Sequence, residues 1–396
     1  MLKGKTVILA VGGGIAAYKS AELVRRLLDE EARVRVVMTR SAQQFITRLT
    51  LQTLSGEPVA TDLFDLTQES EIGHIDLADS ADVVLVAPAT ANIVGKLAHG
   101  IADDLLTTVL LATRAPIVLA PAMNVNMFES PVVQENLATL DARGFHIVSP
   151  DVGSLACGYE GAGRQPDPPV LLEAVRGVLS RRDLSGHRVL VTAGPTREPL
   201  DPVRYLSNRS SGKMGYALAR AARRRGAEVC LISGPTALEP PSGVEFHAVE
   251  TAAEMAATVR EEVVQATIVI AAAAVADYTP ANVNGEKAAK THGELSLALI
   301  STEDIVAQAV PRRAGLFVAG FAAETHDVLP RAERKRKRKN LDLIIANDVA
   351  RADAGFDVDT NLVTMLDASG AVELPLLPKD EVADRILDRI CEQSSR

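Results

Sequence analysis

The stretch RVLVTAGPTREPLDPVRYLSNRSSGKMG, Arg188 to Gly215, decides how this chain is read. Val189 to Thr192 is an apolar run that reads as a strand, and a helix is expected to begin near Lys213. Between them lies a loop rich in Gly, Pro, Ser and Arg. It is far longer than the roughly 2–6 residues that usually join strand to helix in such a unit. A strand, a polar loop and a helix N-terminus make an anion site, because unpaired backbone N–H groups point at the ligand. Arg197, Arg204, Arg209 and Lys213 add more positive charge than a turn needs. A plain solvated connection is the alternative, and the loop's length argues against it.

The same stretch opens a repeat. Leu184-x-Gly186-x-x-Val189 echoes Leu2-x-Gly4-x-x-Val7. Each is followed by a strand, a glycine-bearing loop, a helix and another strand, Ala32–Thr39 in one case and Ala227–Ser233 in the other. Two such βαβ openings predict two α/β domains of one class, Rossmann-like and doubly wound on parallel sheets. The expected division is residues 1–182 and 183–396. A length of 396 residues allows that, at about 150 residues per domain.

Composition narrows the function. Hydrophobic residues make up 47%, aromatic residues only 3%, and there is no Trp, so the cores must be aliphatic. A net charge of -9 and a pI near 5.4 argue against nucleic acid or an anionic membrane as main partner. Cys157, Cys230 and Cys391 are too few and too scattered for a disulfide framework or a metal cluster. A reducing cytoplasm is the expected compartment. No apolar stretch approaches the roughly 18 residues of a membrane helix. Met1 to Lys5 leads straight into a strand, so no signal peptide is expected.

Along the first half, Thr6–Ala10 reads as a buried strand. Gly12, Gly13 and Gly14 then let the backbone turn tightly and approach a ligand, ahead of a helix expected over Ile15–Asp29. The third glycine of a dinucleotide fingerprint is missing. Strand Val34–Met38 ends in Thr39-Arg40-Ser41, which can cap the next helix or hold a ligand. His74 lies in IGHIDL; a lone histidine is more often structural. Apolar strand Asp82–Pro88 ends in Ala89-Thr90-Ala91-Asn92, at the end where open α/β sheets bind ligands. Strand Pro116–Ala120 runs into PAMNVNM, where Met123, Asn124, Asn126 and Met127 suit a flat apolar ligand with polar edges. Cys157 lies in LACGYEGAGR, whose glycines predict a mobile flap, followed by a helix over Val170–Ser180.

In the second half, helix Met214–Arg225 is expected to end at Gly226. Strand Thr267–Ala274 leads to Asp277, again at a carboxyl end. Lys287 and Lys290 follow on a polar loop, where a lysine beside a triphosphate would neutralise developing charge. Strand Leu316–Phe321 ends in Ala322-Ala323-Glu324-Thr325. Arg334–Lys339 is a run of six basic residues. On a helix, Lys335 and Lys339 share a face, which suits a phosphate chain, with the remaining charges solvated. Leu341–Ala346 is the last expected strand. Cys230 reads as core and Cys391 as incidental. The residues thus describe a first domain with a flat methionine-and-asparagine pocket and a second with a basic pocket for a nucleoside triphosphate.

These pieces, in order, closely resemble the bifunctional phosphopantothenoylcysteine decarboxylase/phosphopantothenate–cysteine ligase family of bacterial coenzyme A synthesis. The resemblance covers essentially the whole chain. It rests on GGIAAYKS (Gly13–Ser20), His74 in HIDL, PAMNVNM (Pro121–Met127) and ACGYEGAGR (Ala156–Arg164). It rests equally on the opening stretch, AAAVADYTP (Ala272–Pro280), GFAAET (Gly320–Thr325) and KRKRKNLDLIIANDV (Lys335–Val349).

The resemblance implies a flavodoxin-like flavoprotein domain followed by a ligase domain. The ligase half would join 4′-phosphopantothenate to cysteine, using CTP and Mg²⁺ through an acyl-cytidylate. By matched position, Asn208 would act on the acyl-cytidylate and Lys287 would assist its formation. Ala271, Ala272, Ala273, Asp277, Lys287, Asp304, Ile305, Val306, Phe321, Lys335 and Lys339 would hold CTP, and Arg204 the phosphopantothenate. The decarboxylase half would bind FMN and decarboxylate the conjugate to 4′-phosphopantetheine, with the thiol end oxidised to a thioaldehyde so that loss of CO₂ has an electron sink. Cys157 is the matched proton donor, His74 the matched histidine, and Asn124 matches the residue binding the carboxylate. Gly14, Thr39, Thr90 and Asn92 would touch FMN. The metal ligands do not follow from the match.

Four departures stand out. Gly12 replaces a usual Ser or Thr, Phe128 a common Trp, and Gln165 a frequent Met, while Lys287-Ala288-Ala289-Lys290 lacks one lysine of its motif. Two other readings compete: a flavoprotein of different chemistry, against which the ligase half counts, and a non-catalytic binding subunit, against which His74, Asn124 and Cys157 together count. The family's trimeric decarboxylase and dimeric ligase contacts imply a homo-oligomer, a dodecamer. The other partners expected are small-molecule substrates, with no nucleic acid and no membrane.

Overall fold

The computed structural model describes residues 2–63, 73–154, 158–287, 296–324, 326–348 and 358–394. Contacts divide the chain into two compact units, Met1–Ser180 and Arg181–Arg396.

In the first unit, strands β1 (Thr6–Val11), β2 (Arg33–Met38), β3 (Val83–Ala89), β4 (Ile117–Pro121) and β5 (His146–Ile147) form a parallel sheet in the order β2-β1-β3-β4-β5. Helices cover both faces, so each central strand is apolar on both sides. In β1, Val7, Leu9 and Val11 face the core built with α1 (Ser20–Asp29), α2 (Arg48–Ser55) and, later in the chain, residues 168–179. Ile8 and Ala10 face the other core, which takes in α3 (Gly73–Ser80), α4 (Ala91–His99), α5 (Leu105–Ala112) and, past the short α6 (Val125–Phe128), α7 (Pro131–Ala142). A hairpin of β6 (Asp151–Ser154) and β7 (Glu160–Arg164) precedes α8 (Pro168–Leu179). The single helix expected over Ile15–Asp29 is a 3₁₀ turn, Ile15–Lys19, followed by α1. Lys19 is turned inward there, where its Nζ donates to the Gln165 carbonyl and to Asp167, each at 2.9 Å.

The second unit repeats the opening. Strand β8 (Arg188–Ala193), the hairpin β9 (Arg197–Pro199) and β10 (Tyr205–Ser207), α9 (Lys213–Arg224) and β11 (Glu228–Ser233) come first. Then follow β12 (Glu245–Ala248), α10 (Ala252–Glu262), β13 (Ile268–Ala271), the hairpin β14 (Tyr278–Pro280) and β15 (Leu299–Ser301), and α11 (Ile305–Gln308). The rest is β16 (Phe317–Glu324), α12 (Val328–Lys339), β17 (Leu343–Asp348), β18 (Thr360–Asn361), β19 (Val363–Asp367), β20 (Gly370–Glu373), β21 (Leu377–Pro378) and α13 (Lys379–Ser394). The main sheet runs β12-β11-β8-β13-β16-β17-β19-β20, parallel from β12 to β17 and antiparallel beyond.

Three strands depart from expectation by more than one residue at an end. Strand β13 ends at Ala271 although the apolar run continues. Past it Ala272 and Ala274 N–H still donate to the Thr192 and Gly194 carbonyls, while Ala273 N–H goes to the Thr192 hydroxyl at 3.3 Å and Ala276 N–H to the Thr196 hydroxyl at 3.0 Å. Strand β16 extends to Glu324, and β17 starts at Leu343 rather than Leu341.

Arg225, at the end of α9 and 3% exposed, fastens the start of this unit to its last helix. It bonds Asp183 at 2.6 Å and Asp388 at 2.9 Å. Arg225→Leu should destabilise the second unit by about 1.5–3 kcal/mol, since it removes charge-assisted bonds from the partly exposed Asp183 and Asp388 carboxylates. Hydrogen bonding and charge from Arg225 hold the Asp183 carboxyl below its ordinary range. Asp183 therefore stabilises the fold above its unfolded pKa, near 3.9, and that stability is lost as pH falls through the folded value. Urea midpoints measured from pH 7 downward should show this acid loss in the parent, and less of it in the variant.

Candidate active sites

In the first sheet the chain steps from β1 to β2 on one side and then to β3 on the other. The carboxyl ends of β1 and β3 therefore flank the switch point, where such sheets bind ligands. Gly12, Gly13 and Gly14 leave β1 there. A Cβ on Gly12 would lie 2.3 Å from the Pro88 carbonyl oxygen, and one on Gly13 2.2 Å from Ser41 Cβ. Those two glycines let three strand ends converge. Gly14 is not pressed in this way, since a Cβ there would make ordinary contact with Thr90 Cγ2 at 3.7 Å and Pro88 Cγ at 4.0 Å. The Thr39 hydroxyl accepts from Ala42 N–H at 3.1 Å, and Thr90 caps α4 by accepting from Ile93 N–H at 3.4 Å. Both threonines thus act as caps at strand ends. Asn92 is exposed on the first turn of α4.

Asn124 caps α6, its side-chain oxygen accepting from Asn126 N–H at 2.9 Å. The glycines after Cys157 have a role their composition hid. Rather than a flap, residues 160–164 are strand β7, whose Gly163 carbonyl accepts from Met123 N–H at 3.0 Å. A Cβ on Gly163 would lie 2.3 Å from the Met123 carbonyl oxygen, and one on Gly161 2.6 Å from Val125 Cγ2. They are close-approach glycines that press the hairpin onto the Met123–Val125 turn. His74 is half-buried on α3 and makes no hydrogen bond or ion pair among the described residues. Cys157 lies outside the described residues, as do Lys290 and Thr325. Gln165 is 1% exposed, and neither amide atom has a partner among the described residues.

In the second sheet the corresponding switch point lies between β8 and β13, and a cavity of about 240 Å³ opens at these carboxyl ends. Ala271, Ala273 and Asp277 line it from the end of β13, Asp304, Ile305 and Val306 from the start of α11, and Phe321 from β16. Lys335 and Lys339 line it from α12. Ala272, between two lining residues, packs toward the core instead. Lys335 Nζ donates to the Phe321 carbonyl at 2.9 Å, and Lys339 pairs with Asp304 at 2.8 Å. Burial, and then the neighbouring Lys339 charge, pull the Lys335 ammonium below its ordinary range. Burial pushes Asp304 upward, but Lys339 and the Ala307 N–H outweigh it and hold the carboxyl low.

Asn208, Arg204 and Lys287 are exposed and do not line this cavity. They sit on loops, of which that of Asn208 is fastened to a lining residue. Asn208 Nδ2 donates to the Val275 carbonyl at 2.9 Å, and Arg204 pairs with buried Asp201 at 2.6 Å. The loop leading to Lys287 is tied by Asn284 N–H to the Leu200 carbonyl at 3.0 Å. Thr192, Thr302 and Arg338 also line the cavity, though the sequence reading gives none of them a site role and counts Arg338 among the solvated charges of the basic run. Arg338 had a signal, its spacing three residues beyond Lys335 on one helix.

Elsewhere in this unit, ligand atoms of Cys230, Glu245, His247 and Glu262 lie within 4.8 Å of one another, which sequence separation concealed. Arg188 already supplies a cation there, bonded to Glu245 at 2.7 Å and Glu262 at 2.8 Å. Burial, and then the two carboxylates, push the Cys230 thiol up to about 12. Among the described residues no helix is long and apolar enough to cross a membrane.

Residues 1–180 match the family described as Flavoprotein, and residues 184–393 match the DNA/pantothenate metabolism flavoprotein C-terminal domain. The chain is 47% identical to the coenzyme A biosynthesis bifunctional protein CoaBC of Vibrio cholerae serotype O1, over 99% of each chain. It is 49% identical to the protein of the same name from Escherichia coli K12, over 98% of this chain and 97% of that one. Among solved structures, the C-terminal domain of a coenzyme A biosynthesis bifunctional protein CoaBC is 43% identical, with a TM-score of 0.46, covering 54% of this chain and 97% of that one.

Proposed function

The chain belongs to the coenzyme A biosynthesis bifunctional protein family, and from that premise we propose how its two units divide a ligation and a decarboxylation. The second unit activates 4′-phosphopantothenate with CTP. Lys335 and Lys339 hold the phosphate chain, Asp277 and Phe321 help seat the nucleotide, and Lys287 assists attack of the carboxylate on the α-phosphorus. Asn208 acts on the acyl-cytidylate, which the cysteine amine then opens. Arg204 holds the substrate phosphate. Mg²⁺, when bound, offsets charge on the leaving pyrophosphate.

The observation that carries this reading is the convergence on one cavity. Residues from four separate segments, Ala271–Asp277, Asp304–Val306, Phe321 and the α12 lysines, line it together. Desolvated cations at the carboxyl ends of parallel strands are what a triphosphate requires.

The first unit decarboxylates the conjugate with FMN. When bound, FMN supplies a two-electron acceptor for the thiol end and returns the pair afterwards. Gly14, Thr39, Thr90 and Asn92 would hold it. The fit is supported by the uncrowded backbone at Gly14 and by the start of α4 beside it, where backbone N–H groups can meet a phosphate. Asn124 binds the carboxylate that is lost, His74 serves the same site, and Cys157 returns a proton to the product. The dodecameric assembly and cytoplasmic location expected of the family belong to this proposal.

Purified protein given 4′-phosphopantothenate, cysteine, CTP and Mg²⁺ should form 4′-phosphopantetheine, read by mass spectrometry against a no-CTP control. Lys287→Ala should form no conjugate yet still decarboxylate conjugate supplied to it. Loss of both activities in that variant would mean that it misfolds. Product formation without CTP would sink the nucleotide assignment.

A further inference from the structure

We propose that Arg338 grips the terminal phosphates of the nucleotide and stabilises them as they leave as pyrophosphate. This rests on the nucleotide reading of the second-unit cavity. Lys335, Arg338 and Lys339 stand at i, i+3 and i+4 on α12, so they share a face, and all three line the cavity. Two are already engaged within the protein, Lys335 with the Phe321 carbonyl and Lys339 with Asp304. Arg338 is exposed and has no hydrogen bond or ion pair with any described residue. Its charge acts on its neighbours only through space, on Asp304 and Lys335.

Three cations on one face of a helix repel one another, and a polyanion relieves that repulsion. The half-buried lysines stand deeper, and exposed Arg338 stands at the rim. A nucleotide with its base enclosed would direct its phosphate tail there. In the reaction the substrate carboxylate oxygen bonds to the α-phosphorus. The bond from that phosphorus to the bridging oxygen of the β-phosphate breaks, and pyrophosphate departs with the electron pair. A guanidinium offers two parallel N–H donors to adjacent phosphate oxygens, which an ammonium cannot.

The test compares Arg338→Ala, Arg338→Lys and, as a control, Lys337→Ala, whose side chain pairs with Glu333 away from the cavity. Dissociation constants for CTP and CMP, and inhibition of ligation by inorganic pyrophosphate, are measured on the full chain. Arg338→Ala should weaken CTP binding and pyrophosphate inhibition roughly 10- to 100-fold, leave CMP binding within twofold, and be partly rescued by lysine. Lys337→Ala should match the parent throughout. Equal loss of CTP and CMP would assign Arg338 a structural role and overturn the proposal. So would CTP and pyrophosphate values that match the parent while the parent remains CTP-dependent. A parent with no CTP-dependent ligation would overturn the nucleotide reading itself and this proposal with it.

Discussion

Lys335→Met should lower kcat/KM for CTP in ligation roughly 10²–10³-fold, the usual effect of removing one preorganised charge from a reacting centre. Decarboxylation of supplied conjugate and the FMN content should not change. The expectation follows from where the ammonium stands. It is held against the Phe321 carbonyl at 2.9 Å on the cavity wall. Burial has already drawn down its basicity, so water screens it less than it does the other α12 cations. Methionine has nearly the same length and a strong helix propensity, so α12 should persist. The lowered pKa adds a second signature. As pH rises, Lys335 loses its proton earlier than an ordinary lysine, and attraction for the phosphates falls with it. CTP affinity should therefore weaken on the alkaline side below the usual lysine range. Lys335→Arg, which stays charged there, should flatten that limb even if its fit lowers the maximum. A Lys335→Met enzyme with parental kcat/KM for CTP would remove Lys335 from the nucleotide site.

Such a site was legible because of how parallel sheets are made. Strands β1, β3, β8 and β11 are buried on both faces, so each appears as an unbroken apolar run whose carboxyl end is easy to mark. Of the proposed site residues, Thr90 follows β3 and Asp277 follows β13, which is why their positions could be marked. What escaped notice depends on tertiary contacts. Strand β12 and hairpin β14–β15 are short and largely exposed, and hairpin β9–β10 is short with a polar buried residue, Glu198, so they carry no apolar pattern. The hydroxyls that take up Ala273 and Ala276 N–H past β13 belong to Thr192 and Thr196, both remote in sequence. Gly161 and Gly163 look flexible by composition, yet what they provide is room for Val125 and Met123. The meeting of Cys230 with Glu245, His247 and Glu262 needs three elements to pack before it exists.

Gly234→Ala should be the most damaging single-methyl change in the second unit, although nothing in the sequence singles Gly234 out. Two Gly-Pro-Thr triplets, Gly194–Thr196 after β8 and Gly234–Thr236 after β11, leave neighbouring parallel strands at the same level, since Ala193 pairs with Ser233. They are pressed together. A Cβ on Gly234 would lie 1.7 Å from the Pro195 carbonyl oxygen and 2.7 Å from its carbon. Both atoms are backbone, so no side chain can swing aside. The Gly194 backbone is equally committed, with φ of +70° and its own Cβ position 2.8 Å from the Gly234 oxygen. Relief would have to separate the strand ends. That would strain the Gly234 N–H bond to Ala193 at 3.0 Å and the chain of hydroxyls linking Ser233, Tyr216 and Thr236. Displacing Pro195 also moves Thr196, whose hydroxyl holds Ala276 N–H at the edge of the cavity. The variant should therefore lose about 2–4 kcal/mol of stability in the second unit, as overpacking against fixed backbone does, and lose ligation while keeping decarboxylation. Gly177→Ala, in α8 with nothing within 4 Å of the added carbon, is the matching control. It should hold or gain stability, by up to about 1 kcal/mol. Urea unfolding followed beside both activities would decide the matter. A Gly234→Ala protein as stable and as active in ligation as its parent would mean that the two triplets do not meet as described.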